Sequence, residues 1–145
     1  MDTNQVKNLI RVGRVSSVNG AECSARVTFG DKDDLVSAEL PVITFGSRGT
    51  RAYWVPEVDT QVLCIFDPNV SGNGLSAGFI IGAFYSDEDT PAESDADVRS
   101  ITFADGSFIR YSNGNIEINA KGNLVLKGAI LRLTKGVIIC LKLQG

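Results

Sequence analysis

The sequence predicts an all-β protein in two modules, a small barrel followed by a ribbon of short strands that cannot cover its own apolar face. Three observations lead there. From Ile101 onward glycines fall at Gly106, Gly114, Gly122, Gly128, Gly136 and Gly145, at spacings of 8, 8, 6, 8 and 9. Between them apolar and polar residues alternate, as with Ile116 and Ile118 against Glu117 and Asn119, or Leu124 and Leu126 against Val125 and Lys127. Period two with a turn residue every eight or so positions marks short β-strands. Helical periodicity is scarce everywhere except the first ten or so residues, where Val6, Leu9 and Ile10 suit one short helix.

The elements follow in order. Residues 1–11 form an N-terminal segment with that short helix. Residues 12–85 hold five candidate strands, at 12–18, 23–29, 35–44, 61–66 and 78–84, with breaks at Asn19-Gly20, 30–34, 46–50 and 67–74. Asn-Gly is a strong hairpin signal, because both central residues of a type I′ turn need positive φ. Five strands in about 75 residues suit a closed five-stranded Greek-key barrel of the OB type, which also removes exposed sheet edges. Residues 86–98, SDEDTPAESDADV, are acidic and contain Pro91, and read as a linker. Residues 99–145 are the glycine-punctuated ribbon. Fewer than fifty residues of meander bury too little apolar area to offset their chain entropy. The ribbon therefore needs a partner surface, and further copies of the chain supply identical ones.

Composition narrows the chemistry. There is no histidine, which removes the commonest general base, the Ser-His-Asp triad and His-containing zinc sites. Cys23, Cys64 and Cys140 are far apart and fit no C-x-x-C spacing, so they read as reduced, buried thiols. No run of about 18 apolar residues exists, and the N-terminus lacks a basic start with an apolar middle, so synthesis in a cytoplasm is expected. Residues 1–95 carry 7 Lys/Arg against 14 Asp/Glu, a net of −7, and residues 96–145 carry 7 against 3, a net of +4. An acidic head on a basic tail suits two modules in different surroundings. An acidic barrel with few, dispersed aromatics repels phosphate, so no nucleic-acid partner is expected.

Individual features were weighed against bland readings. Trp54 beside Pro56 reads better as a barrel-filling side chain than as a partner face. Gly72-Asn73-Gly74 is a plain hairpin loop, since no P-loop lysine follows. Asp31, Asp33 and Asp34, and likewise Asp87, Glu88 and Asp89, lack the calcium-loop pattern and read as solvated turns. Asp105 and Glu117 are a carboxylate pair only on paper, because Asp105 beside Gly106 suits a turn. The basic residues Arg110, Lys121, Lys127, Arg132, Lys135 and Lys142 keep an edge-rich ribbon soluble, with attraction to an anionic cell envelope as the sharper alternative.

Several stretches together resemble a known family. Val12-Gly13-Arg14-Val15 is similar to its opening strand, and Ala25-Arg26-Val27-Thr28-Phe29 to its second. Leu40-Pro41-Val42, Tyr53-Trp54-Val55-Pro56 and Val58-Asp59-Thr60-Gln61-Val62 resemble its P-W-W-x-P-x-V-G-E-Q-V run. The stretch 78–85, GFIIGAFY, resembles its barrel-closing strand, and 101–111, ITFADGSFIRY, its F-x-D-G entry into a β-helix. The family is the central spike, or baseplate assembly protein V, of contractile-tailed phages and tailocins, with a more distant resemblance to the valine-glycine repeat spikes of type VI secretion. Two positions depart from it. Asp59 stands where the family usually has glycine, and the apical H-x-H iron motif is absent from a chain without histidine.

The resemblance implies an OB barrel followed by an intertwined three-chain β-helix prism, a homotrimer, and a place in the virion at the tail baseplate. Implied partners are tail-tube and baseplate proteins, a separate tip protein and the host cell envelope. The role is mechanical, with no enzyme activity and no cofactor. On this reading Ile116, Ile118, Leu124, Leu126, Leu131, Leu133, Ile139 and Leu141 face the three-fold axis. Gly106, Gly114, Gly122, Gly128 and Gly136 make the corners. Six strand layers at about 4.8 Å give a prism about 30 Å long. The alternatives are a secreted-type β adhesin or carbohydrate-binding module, an OB-fold nucleic-acid binder, and a hub carrying a muramidase, for which the chain is too short.

Overall fold

The computed structural model describes residues 3–67 and 77–136. Gly72-Asn73-Gly74, Cys140, Lys142, the apolar strand expected at 137–143, and with it Ile139, Leu141 and Gly145, lie outside the described residues. Among the described residues the chain is all-β apart from one short α-helix and a 3-10 turn at Gly30–Lys32, and it divides into two compact units, Met1–Pro91 and Ala92–Gly145.

The first unit opens with helix α1 (Thr3–Leu9), which runs without a loop into strand β1 (Ile10–Asn19). β1 is long because it serves two neighbours. Ile10 to Arg14 pair antiparallel with β5 (Gln61–Phe66), and Arg14 to Asn19 pair with β2 (Ser24–Phe29). A bulge between Val15 and Ser17 bends the strand where it changes partner. The expected type I′ turn at Asn19-Gly20 does not form. Asn19 is still in the ladder opposite Ser24, Gly20 to Cys23 make a four-residue loop, and its positive φ falls on Cys23 at 50°. The Asn19 side chain supplies the reason. Its Oδ1 accepts the Glu22 N–H at 3.4 Å and its Nδ2 donates to Glu39 at 3.3 Å, which fixes a wider loop.

The strand expected over 35–44 is interrupted. It becomes β3 (Leu35–Val36) and β4 (Leu40–Pro41), both paired with β2. Between them the buried Ser37 hydroxyl accepts the Val27 N–H at 2.9 Å and donates to the Ala38 carbonyl. The Ser37 N–H still reaches the Val27 carbonyl at 2.8 Å, so a side chain completes the ladder where the backbone bulges away. Past β4, Val42 pairs in parallel with Ile80 of β6 (Gly78–Ala83), and the Ile43 N–H donates to the Ile80 carbonyl at 2.9 Å. β6 pairs with β5. The pairing therefore runs from β4 through β2, β1, β5 and β6 and back to the end of β4, so the sheet closes on itself.

The closed interior holds Val15, Ala25, Val27, Phe29, Leu40, Val62, Cys64, Phe66 and Ile80, with Phe29 and Phe66 edge to face at 5.7 Å. Gly13 faces this core at a point of close approach. A Cβ there would lie 2.5 Å from Val27 and 2.6 Å from the Thr28 carbonyl. One charge is buried with them. Arg11 donates to Asp31 at 2.7 Å and lies 4.0 Å over the Phe29 ring, while its Nη1 has no hydrogen-bond partner. Burial pushes the Cys64 thiol up to about 11, with the Arg11 charge opposing, so Cys64 stays a neutral hydrophobe. Cys23 is also a free thiol, but only half-buried.

The second unit begins within the stretch expected to be a linker. Val98 is buried, and the Glu93 carboxylate receives Arg110 at 2.6 Å. Residues 92–98 are therefore turns laid on the ribbon, because Val98 and the Glu93–Arg110 pair anchor them. Strands β7 (Arg99–Thr102), β8 (Phe108–Ser112) and β9 (Asn115–Asn119) form an antiparallel meander. Residues 120–136 continue the chain without forming a strand.

Asp59 yields a prediction. It occupies the third position of a turn closed by the Thr60 N–H on the Glu57 carbonyl, with φ at 70°. That is a glycine conformation, so the departure of this chain from the glycine pattern leaves a tolerated aspartate in a left-handed position. Asp59→Gly should stay within about 1 kcal/mol of the parent, since strain relief offsets chain entropy. Asp59→Val should cost ~2 kcal/mol or more. Equal melting curves for both variants would contradict the turn assignment.

Candidate functional site

The ribbon is the candidate site, because its two faces differ. Directly opposed residues of an antiparallel ladder share a face. Ile101, Ile109 and Ile118 stand in one row, and Arg99, Tyr111 and Ile116 in the next on the same side. The other side carries Ser100, Arg110 and Glu117, then Thr102, Phe108 and Asn119. The polar face is occupied in part by the Arg110–Glu93 pair, and Glu93 raises the Arg110 pKa by accepting its hydrogen bond. The apolar face has no such cover: Ile101, Ile109, Tyr111, Ile116 and Ile118 are all exposed, Ile116 at 76%.

Two turns hold the meander in register. Asn113 and Gly114 have φ of 50° and 80° between the paired Ser112 and Asn115, the type I′ pattern that was expected earlier in the chain at Asn19-Gly20. The β7–β8 turn uses Gly106 at φ 86°, with the Gly106 N–H on the Phe103 carbonyl and the Phe103 N–H on the Ser107 carbonyl. This is a three-residue loop ending in a left-handed glycine. Asp105 belongs to that turn and forms no catalytic pair. Its carboxylate takes the Ser107 N–H at 2.8 Å and the Ser107 hydroxyl at 3.1 Å. The same hydroxyl accepts the Lys121 N–H at 3.0 Å, which fixes the direction in which the chain leaves β9.

Between Lys121 and Gly136 the apolar side chains stand mostly in solvent. Leu124, Leu126, Leu131 and Leu133 are each more than half exposed, as are Val125 and Ile130. Of the expected axis-facing residues, Ile116 and Ile118 share one face of β9, and Leu124, Leu126, Leu131 and Leu133 lie in the strandless segment. Of the expected corners, Gly106, Gly114 and Gly136 have positive φ, whereas Gly122 and Gly128 do not. Positions without positive φ are open to other residues. Ile101, Ile109 and Tyr111 complete the apolar face and were missed, although the alternation in ITF and FIRY carried the same signal.

The first unit supplies one correction. Trp54 is 64% exposed and Tyr53 stands out beside it, so neither fills the closed sheet. The interior is already packed by Phe29 and Phe66, and the Trp54 carbonyl and Tyr53 hydroxyl are tied to the rim at Cys23 and Gly20. Among the described residues, no cluster of His, Cys, Asp and Glu is placed to hold a metal, and no helix is long and apolar enough to cross a membrane. No protein-family model matches the chain, and no curated protein matches it.

The Asp105 turn has a measurable pH dependence. The Ser107 backbone N–H, then its hydroxyl, hold the Asp105 carboxyl below the usual carboxylate range, with Lys121 adding to the effect. A depressed folded-state pKa contributes stability above the unfolded value, and that contribution is lost as pH falls through the folded value. The Ser107 amide resonance should titrate with a midpoint below that of an ordinary aspartate and lose that transition in Asp105→Asn. A midpoint at or above that value would show that the carboxylate is not held by the turn.

Proposed function

We propose that this chain is a structural protein, the trimeric hub and membrane-piercing spike of a contractile tail baseplate. Three N-terminal OB barrels form the hub, and three C-terminal ribbons wind into a β-helix prism. The observation that carries the reading is the segment 120–136, which continues the chain with its leucines in solvent and no strand partner. An apolar face of this size on a narrow ribbon marks an association surface. The meander exposes a further apolar face, of Ile101, Ile109, Tyr111, Ile116 and Ile118.

The pairing circuit of the first unit supports the OB assignment. Five strand segments pair in the order 1-2-3-5-4-1, with the third and fifth parallel through Val42 and Ile80, as a five-stranded Greek-key barrel requires. The resemblance in 12–15, 53–62 and 101–111 connects that barrel to a spike rather than to a nucleic-acid reader, and the acidity of the barrel argues the same way. Its mechanism is mechanical. When ribbons pair across chains, every backbone donor and acceptor is satisfied and local opening is costly, so the rod transmits an axial thrust. Tail-tube and baseplate proteins would bind the hub, a separate tip protein would cap the rod, and the basic ribbon would meet an anionic cell envelope.

Sedimentation should give a particle of about 46 kDa, three times the 15.5 kDa chain. Ile116→Asp combined with Ile118→Asp places three pairs of charges on the axis and should yield monomer with the barrel still folded. A wild-type monomer would overturn the proposal.

A further inference from the structure

The first unit displays two features that the closed sheet does not explain, and they are complementary. One is a finger formed by residues 44–52. It is braced from within: the Thr44 hydroxyl donates to the Ala52 carbonyl at 3.0 Å, the Ala52 N–H donates to the Gly46 carbonyl at 2.9 Å, and Ser47 pairs with Arg51. A Cβ on Gly46 would meet the Thr50 carbonyl at 2.8 Å, so the loop is tight. This braced loop holds Phe45 97% exposed, and it also carries the exposed Arg48 and Arg51. Neither arginine has a carboxylate partner among the described residues. A lone exposed phenylalanine is ordinary. A phenylalanine held out by a tight hydrogen-bonded loop that also carries two unpaired cations is preorganised for a partner.

The other feature is a groove of about 410 Å³ whose walls include the apolar Val58, Phe84 and Tyr85 and the carboxylates of Glu57, Asp59 and Asp89. Arg14 approaches its rim, donating to the Asp59 carbonyl at 3.1 Å and to Glu88, and does not neutralise the three wall carboxylates. No finger residue lines the groove, so the chain does not fill it with its own finger.

We infer that the finger of one copy, with Phe45 as apolar key and Arg48 and Arg51 as its charged flanks, docks in the Glu57–Asp59–Asp89 groove of the neighbouring copy. This inference rests on the trimeric reading. Both halves of the contact are present on every chain, and apolar meets apolar while two cations meet three carboxylates. Such a contact is head-to-tail, and three of them close into a ring. Ribbons that hold the copies together raise the effective concentration, so a contact that is weak alone is populated. The ring then fixes the rotation of each barrel about the axis.

Zero-length carbodiimide cross-linking of the full chain carrying Arg48→Lys and Arg51→Lys tests it, with the mass read on the same sample by sedimentation. The expected result is a trimer in which the introduced lysines join Glu57, Asp59 or Asp89 of another chain, seen as covalent dimers and trimers on denaturing gels and mapped by peptide mass. Adding Glu57→Gln and Asp89→Asn should lower that yield about tenfold, in line with the loss of a coupled charge contact. A trimer whose lysines join other sites, or none, overturns the finger-and-groove contact and leaves the trimeric reading standing. A monomer overturns both.

Discussion

The constraint on which the rest depends is the unmet demand of the ribbon. A backbone amide and carbonyl at every residue need partners, and an apolar side chain at every second position needs cover. The first unit meets both demands within one chain. Its sheet bends at the Val15 bulge, turns through the Ser37 detour and closes where Val42 meets Ile80, so that the core from Val15 to Ile80 is enclosed. Among its described residues the second unit has three strands with open edges, an apolar face in solvent, and then the segment 120–136 with no strand. The described residues of this unit do not close it, and that open face is what the proposed association would cover.

How legible this was depended on what enforced each element. β5, at Gln61–Phe66, was readable to the residue, since alternation and buried packing agree there. β1, β2 and β6 were readable to within a residue or two for the same reason. The 35–44 strand was misread as continuous because its interruption depends on one hydroxyl replacing one carbonyl, and Ser37 leaves no mark in hydropathy. Asn-Gly was the right signal at 113–114 and the wrong one at 19–20. The difference is local competition, because Asn19 spends its side chain on Glu22 and Glu39, whereas Asn113 and Gly114 take the left-handed conformations themselves.

The site was legible in outline. Alternation identified Ile116 and Ile118, and the same rule extended to ITF and FIRY reaches Ile101, Ile109 and Tyr111. Trp54 was misjudged because large aromatics are usually sheltered, and sequence does not reveal that Phe29 and Phe66 had already filled the interior. The finger was invisible for a related reason. A break was expected at 46–50, but hydropathy does not reveal that Thr44 and Ala52 close a loop that holds Phe45 out. Glycine spacing did not tell the positive-φ positions Gly106, Gly114 and Gly136 from Gly122 and Gly128, whose φ is not positive.

Amide hydrogen exchange across residues 122–136 of the full-length protein tests the central claim most directly. If other copies of the chain complete the ribbon, these amides exchange at least about a hundredfold slower than an unstructured peptide, and protection falls with dilution below the association threshold. Exchange at the rate of an unstructured peptide, at a concentration where the barrel core is fully protected, would contradict it.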